Sequence, residues 1–305
     1  INLIKIYKMF RSTLNRTLIQ LNRNINRQGI VSLSTIINPN TIPGLESINK
    51  VGVVGLGLMG HGVAQMVAQA GFNVYAIESQ PEALEADMGI WLYTVCILHT
   101  IHITIYNPTL ILTLTTLILT LNPFIILIIH TNIYIYIYRI QNSLAKVVAR
   151  DIKKEKMTIE EGAIYHEQVM NRIITTTDIA EAHDCDLIIE AIVEDKQIKI
   201  DFYKHIGPLI KPSAIFASNT SSLQITEMAL ASGRPKQFVG LHFFNPVQLM
   251  KLVEVIRTTH TNDSSYDSVT AFGKVIGKTT VACGDTPGFI VNRLLIPYLS
   301  SVSII

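Results

Sequence analysis

A short apolar run, Lys50 to Val54, leads straight into Gly55-Leu56-Gly57-Leu58-Met59-Gly60, and a helical pattern through Met66, Val67 and Ala70 follows. No other feature limits the possible folds of this chain so strongly. In such a strand–loop–helix unit the first glycine permits a tight turn. The second lets a pyrophosphate approach the backbone, and the third lets helix and strand pack closely. The helix N-terminus then offers free N–H groups and a positive dipole end to the phosphates. Asn73 to Glu78 reads as the second strand and ends in a carboxylate at the distance expected of an acid that accepts hydrogen bonds from an adenosine ribose. Glu78 would repel a 2′-phosphate, which favours NAD over NADP.

Further strands follow at α/β spacing: Leu187 to Ala191, Ile215 to Ser218 and Phe238 to Phe243. Helical stretches at Ile198 to Ile210 and Ile225 to Leu230 separate them. Strand alternating with helix predicts an α/β fold, a Rossmann-like, doubly wound, mostly parallel sheet over residues 49–284. Ligands in such sheets bind beyond the carboxyl ends of the strands. Glu194, Ser221, His242 and Asn245 all fall at such ends. Asp285-Thr286-Pro287-Gly288 then reads as a hinge, and from Phe289 onward Val291, Leu294 and Leu295 have helical spacing. Residues 285–305 are therefore expected to begin an all-α C-terminal domain.

The stretch from Leu241 to Val255 places His242 twelve residues ahead of Glu254, across a Pro-broken turn. Oxidising a secondary alcohol with NAD needs a base for the hydroxyl proton, and an imidazole suits that task. A carboxylate on the other ring nitrogen fixes the tautomer and stabilises the imidazolium. Ser221 and Asn245 are the small polar types that hold a substrate oxygen in line. Each residue also has an ordinary reading. A strand histidine is commonly a satisfied core residue, Glu254 fits a solvated strand position, and Ser218 to Ser222 fits a loop capping the next helix.

Three long runs behind the glycine loop, Phe216 to Thr226, Leu241 to Val255 and Asp285 to Leu295, closely resemble the L-3-hydroxyacyl-CoA dehydrogenases of fatty-acid β-oxidation. The likeness spans about Lys50 to Leu299. It implies oxidation of an L-3-hydroxyacyl-CoA to the 3-ketoacyl-CoA with NAD, in the mitochondrial matrix. By that resemblance His242 is the base and Glu254 its partner, while Ser221 and Asn292 contact the substrate oxygen. Gly55, Gly57, Gly60, Glu78, Glu194, Lys199 and Asn245 would contact the cofactor. Ser143 lies where the family meets coenzyme A, and Arg150 stands where a lysine is usual. The family's helical domain runs on for about another hundred residues and makes the homodimer. This chain stops at Ile305, so little turnover and no ready dimer are expected of it. A 3-hydroxybutyryl-CoA dehydrogenase of the same family is the alternative enzyme, and a non-catalytic NAD-binding relative the alternative class.

The rest of the chain bears on address more than chemistry. Its 305 residues suit one large or two ordinary domains, and a net charge of +2 argues against nucleic acid as partner. Cys96, Cys185 and Cys283 are far apart and show no metal-type spacing, and no metal is expected. The chain begins with Ile1, so it reads as a fragment or as carrying upstream translated sequence. Arg11, Arg16, Arg23 and Arg27 lie among hydroxyl and apolar residues with no acid before Glu46, which describes a mitochondrial transit peptide over 1–48. Asn15, Asn219 and Asn262 sit in glycosylation-type triplets of no expected consequence.

From Met88 to Tyr138 there is no Asp, Glu, Lys or Arg. A membrane reading of residues 94–138 meets two Asn-Pro breaks and no basic flank before Arg139. The segment separates two helical patterns, Pro81 to Leu92 and Gln141 to Lys154, so 93–139 reads as a foreign insert within a helical region. No membrane partner is expected unless that insert is part of the mature chain.

Overall fold

The computed structural model describes residues 48–78 and 135–302. Eight strands form one sheet in the order β3-β2-β1-β4-β5-β6-β7-β8. They are β1 (Lys50–Val54), β2 (Asn73–Ile77), β3 (Ile173–Thr176), β4 (Leu187–Glu190), β5 (Ile215–Ser218), β6 (Phe238–Phe243), β7 (Leu252–Arg257) and β8 (Thr279–Gly284). All neighbours pair in parallel except β6 with β7. Strand order reverses between β1 and β4, which opens a crevice at their carboxyl ends. This is the expected Rossmann-like, mostly parallel sheet.

Every residue of β4, β5 and β6 is buried, as befits central strands covered on both faces. The pleat divides them between two cores. Val51 and Val53, Leu187 and Ile189, and Val239, Leu241 and Phe243 join one core with Val63, Val67, Ile140, Leu144 and Phe272. Val54, Ile188 and Phe238 face the other, with Tyr203, Ile206 and Met228. The helices supplying these partners are α1 (Gly60–Gln69), α2 (residues 135–153), α3 (Ile159–Asn171), α4 (Lys196–Ile206), α5 (Thr226–Ala231) and α6 (Asp263–Val275). A last helix, α7 (Val291–Val302), buries none of its residues.

Side-chain caps set several helix starts. Thr158 and Glu161 form a capping box on α3, Asp195 caps α4, and Asn262 caps α6 through the Ser265 N–H at 2.7 Å. Asn262, notable in the sequence only for its triplet, is thus a helix cap.

Helix α2 begins well before the expected Gln141. Tyr136, Ile140, Leu144 and Val148 are all buried at four-residue spacing, so the apolar stripe runs through the boundary expected at 139. Packing against the sheet core selects the helical period there. The rest of the expected insert, the Pro81 to Leu92 helix and the leader lie outside the described residues. Among the described residues no helix is long and apolar enough to cross a membrane.

Candidate active site

The carboxyl ends of β1, β2, β4, β5 and β6 share one edge of the sheet, and the candidate residues gather there. Gly55 leaves β1 at φ +85, where a side chain would be strained, and its N–H donates to Ile77 O at 2.9 Å. A Cβ at Gly60 would stand 1.7 Å from Gly55 O, so only glycine lets α1 start this close to the turn. At Gly57 a Cβ would meet nothing within 4 Å. The α1 N-terminus has no side-chain cap and no acid in its first turn. Glu78, just past β2, is buried and accepts the Leu56 N–H at 2.8 Å. An open second glycine, an uncapped helix start and a carboxylate beside the loop fit a dinucleotide's pyrophosphate and ribose.

Beyond β4 lies a buried charge network. Glu190 is fully buried and accepts from Ser218 Oγ at 2.7 Å and the Ile192 N–H at 2.9 Å, and it pairs with the equally buried Lys199. Lys199 Nζ also lies 3.4 Å from Glu194 Oε2. Glu194 Oε1 in turn accepts from Thr220 Oγ1 (2.7 Å), the Ser221 N–H (2.7 Å) and Ser221 Oγ (2.9 Å). Burial alone would raise the Glu194 carboxyl. The Thr220 hydrogen bond, the Lys199 charge and the two Ser221 hydrogen bonds outweigh it and hold the group below the ordinary carboxylate range.

His242 and Glu254 are direct partners across the antiparallel β6–β7 ladder, which places both side chains on one face. His242 Nδ1 lies 2.6 Å from Glu254 Oε2, and both residues are buried. A carboxylate only accepts, so Nδ1 carries a proton, and in the neutral ring the lone pair is on Nε2. The other oxygen of Glu254 accepts the Ile290 and Val291 N–H groups, at 3.0 and 2.8 Å, at the start of α7. Asn292, one residue on, donates from Nδ2 to Ser221 O at 2.8 Å. The rings of Phe244 and Phe289 stand 4.4 and 5.8 Å from the imidazole and give it an apolar surround.

The structure therefore gathers His242, Glu254, Ser221 and Asn292, and joins Glu194 and Lys199 to them. Asn245 lies exposed just past β6, ahead of a cis bond to Pro246. Ser143 and Arg150 ride on α2 and make no hydrogen bond to this cluster. Arg150 Nε lies 3.3 Å from Asp151 Oδ1 instead. Several contributors were missed in the sequence. Besides Glu190, Asn219 accepts the Phe243 N–H at 2.9 Å and ties the β5 loop to the end of β6. Asp285 accepts the Ile225 and Thr226 N–H groups, at 2.8 and 2.9 Å, and anchors the hinge. Buried Lys278 donates to Val247 O and to Met250 O, bracing the turn after Asn245, and desolvation lowers its ammonium pKa. The one legible hint was Glu190, a lone charge ending an apolar run. Among the described residues no group of three or more His, Cys, Asp or Glu side chains could hold a metal ion.

Residues 50–91 and 124–286 match the family described as 3-hydroxyacyl-CoA dehydrogenase, NAD binding domain. A probable 3-hydroxybutyryl-CoA dehydrogenase of Deinococcus radiodurans is 39% identical over 251 residues, covering 82% of this chain and 69% of the relative. The mitochondrial hydroxyacyl-coenzyme A dehydrogenase of Homo sapiens is 35% identical over 277 residues, 90% of this chain and 71% of its own length. Among solved structures, an (S)-3-hydroxybutyryl-CoA dehydrogenase from Ralstonia eutropha aligns with a TM-score of 0.61 at 30% identity, over 83% of this chain and 70% of that one. Glycine loop, parallel sheet and these matches agree: the chain belongs to the 3-hydroxyacyl-CoA dehydrogenase family, NAD-dependent oxidoreductases whose cofactor the β1–α1–β2 half is built to take.

Proposed function

We propose that this protein oxidises the hydroxyl of an L-3-hydroxyacyl-CoA to the 3-ketoacyl-CoA, with His242 as general base. The observation that carries this reading is the 2.6 Å contact between His242 Nδ1 and Glu254, which makes Nε2 the basic atom of the neutral ring. Bound NAD would supply the acceptor for the hydride that leaves the substrate carbon. His242 Nε2 takes the hydroxyl proton, and Glu254 stabilises the imidazolium that results. Ser221 Oγ and Asn292 Nδ2 hold the substrate oxygen in line. Glu194, braced by Lys199, fixes Ser221; both would contact the cofactor together with Glu78, and Asn245 would hold its nicotinamide end. Ser143 and Arg150 on α2 meet the coenzyme A portion.

Fatty-acid β-oxidation in the mitochondrial matrix is the proposed setting, supported by the basic leader and by the mitochondrial relatives. Residues from 285 onward open the helical substrate and dimer domain. A short-chain 3-hydroxybutyryl-CoA substrate is the second reading, favoured by the names of the Deinococcus and Ralstonia relatives. The test is NADH formation by the full chain across thioesters from hydroxybutyryl to hydroxydecanoyl, with His242→Gln alongside. The variant should lose about 10²–10⁴-fold in turnover and keep its NAD affinity. Turnover unchanged in His242→Gln would remove the imidazole from the reaction.

A further inference from the structure

His61 is the second residue of α1 and follows Gly57, the open glycine of the loop, by one helical turn. Its Nδ1 lies 2.6 Å from Gly57 O, so the ring lies against the backbone a dinucleotide's pyrophosphate must approach. The side chain is only half-buried, and Nε2 makes no hydrogen bond to any described residue. A carbonyl oxygen only accepts, which requires the proton on Nδ1. In the neutral ring Nε2 is then a bare lone pair, and it becomes an N–H donor only when the ring is protonated.

We propose that His61 is a cofactor-binding residue whose protonated Nε2–H donates to the pyrophosphate of NAD, so that dinucleotide affinity rises as pH falls. It rests on the cofactor reading of the glycine loop. Imidazole is the side chain that changes charge between about pH 5 and 8, and a nearby anion favours its charged form. Binding the cofactor therefore takes up a proton where the free ring is neutral.

The charged and titratable groups on the elements packed against this loop are already engaged elsewhere. Glu78 beyond β2 accepts the Leu56 N–H. After β4, Lys199 is shared between Glu190 and Glu194. The turn after β6 offers the neutral Gln248, bonded to Gln65 at 3.2 Å. From α3 the Tyr165 hydroxyl accepts from Gln69 at the far end of α1.

Calorimetric titration with ADP-ribose tests this without turnover. ADP-ribose keeps the adenosine and pyrophosphate but lacks the nicotinamide, which leaves His242 out of the measurement. The native chain should bind about three- to tenfold tighter near pH 6 than near pH 8, with proton uptake visible as a buffer-dependent heat. His61→Gln and His61→Ala, checked for a native circular dichroism spectrum, should bind with little pH dependence and no uptake. If both variants bind with the native pH slope, His61 only caps Gly57 and the inference is overturned. If the native chain fails to bind ADP-ribose at any pH while folded, the cofactor reading itself falls, and this one with it.

Discussion

Glu194 is the residue on which the two halves of the site converge. One oxygen holds Thr220 and Ser221, and the other faces the buried Lys199 ammonium. Its folded pKa lies below the ordinary 4.5, so its bonds stabilise the native state above the unfolded carboxylate pKa. As the pH falls through the lowered folded value, the group protonates and that contribution is lost. Denaturant titrations of native protein and Glu194→Gln should thus differ most from neutral pH down to about 4.5 and converge under stronger acid. A gap that is constant with pH would mean the carboxylate charge contributes nothing. His242, Glu254, Ser221 and Asn292 were legible as residue types because each sits in a long, specific run. Glu190 gave only a hint, and Asn219, Asp285 and Lys278 were not legible in these roles, because their work is to satisfy backbone and charge across long sequence distances.

At the scale of the element, the β1–α1 turn separates what glycine does for folding from what it does for binding. Gly60→Ala would drive a methyl into Gly55 O, so α1 must shift from the sheet. A loss of about 1–3 kcal/mol or more is expected, with dinucleotide binding lost too. Gly57→Ala meets nothing in the fold. Its melting temperature should stay near that of the native chain while NAD affinity falls, because the methyl occupies space the pyrophosphate needs. Thermal melts with and without NAD distinguish the two. If Gly57→Ala binds NAD normally, the cofactor takes another path. Strands β1, β5 and β6 were readable because continuous apolar runs have one stable use, burial on both faces. The short edge strand β3, Ile173–Thr176, gave little such signal, and α2 was read too short because its first residues lie in the uncharged run that reads as an insert.

Over the whole molecule, stability is concentrated in the sheet and its two cores, and α7 stands outside both. Leu294, Ile296 and Tyr298 are 69%, 61% and 66% exposed, so this helix is secured by its first turn. Helices that bury nothing open locally at little cost. Hydrogen exchange followed by mass spectrometry should therefore find the amides of 294–302 the fastest among the described helices. Peptides covering Ile290 and Val291, held by Glu254, should exchange more slowly. Uniform protection along α7 would show that burial, and not the Glu254 contact, holds it. The parallel order of β1 to β6 could be expected from alternation of strand and helix. The reversal at β7 could not, since a loop from Phe244 to Lys251 suits either direction.

That reversal decides how the proposed His242–Glu254 pair can vary. His242 and Glu254 meet because their strands are zipped in a fixed register, whatever the length of chain between them. Residues added to the turn would lengthen the interval in sequence and leave the pair in contact. A slip of one residue would instead set His242 opposite Val253 or Val255 and turn the imidazole away from its carboxylate. The proposed base and its carboxylate are thus present or absent as a unit. In variants of this chain, contact between His242 and Glu254 therefore depends on two strands in register and not on the number of residues between them.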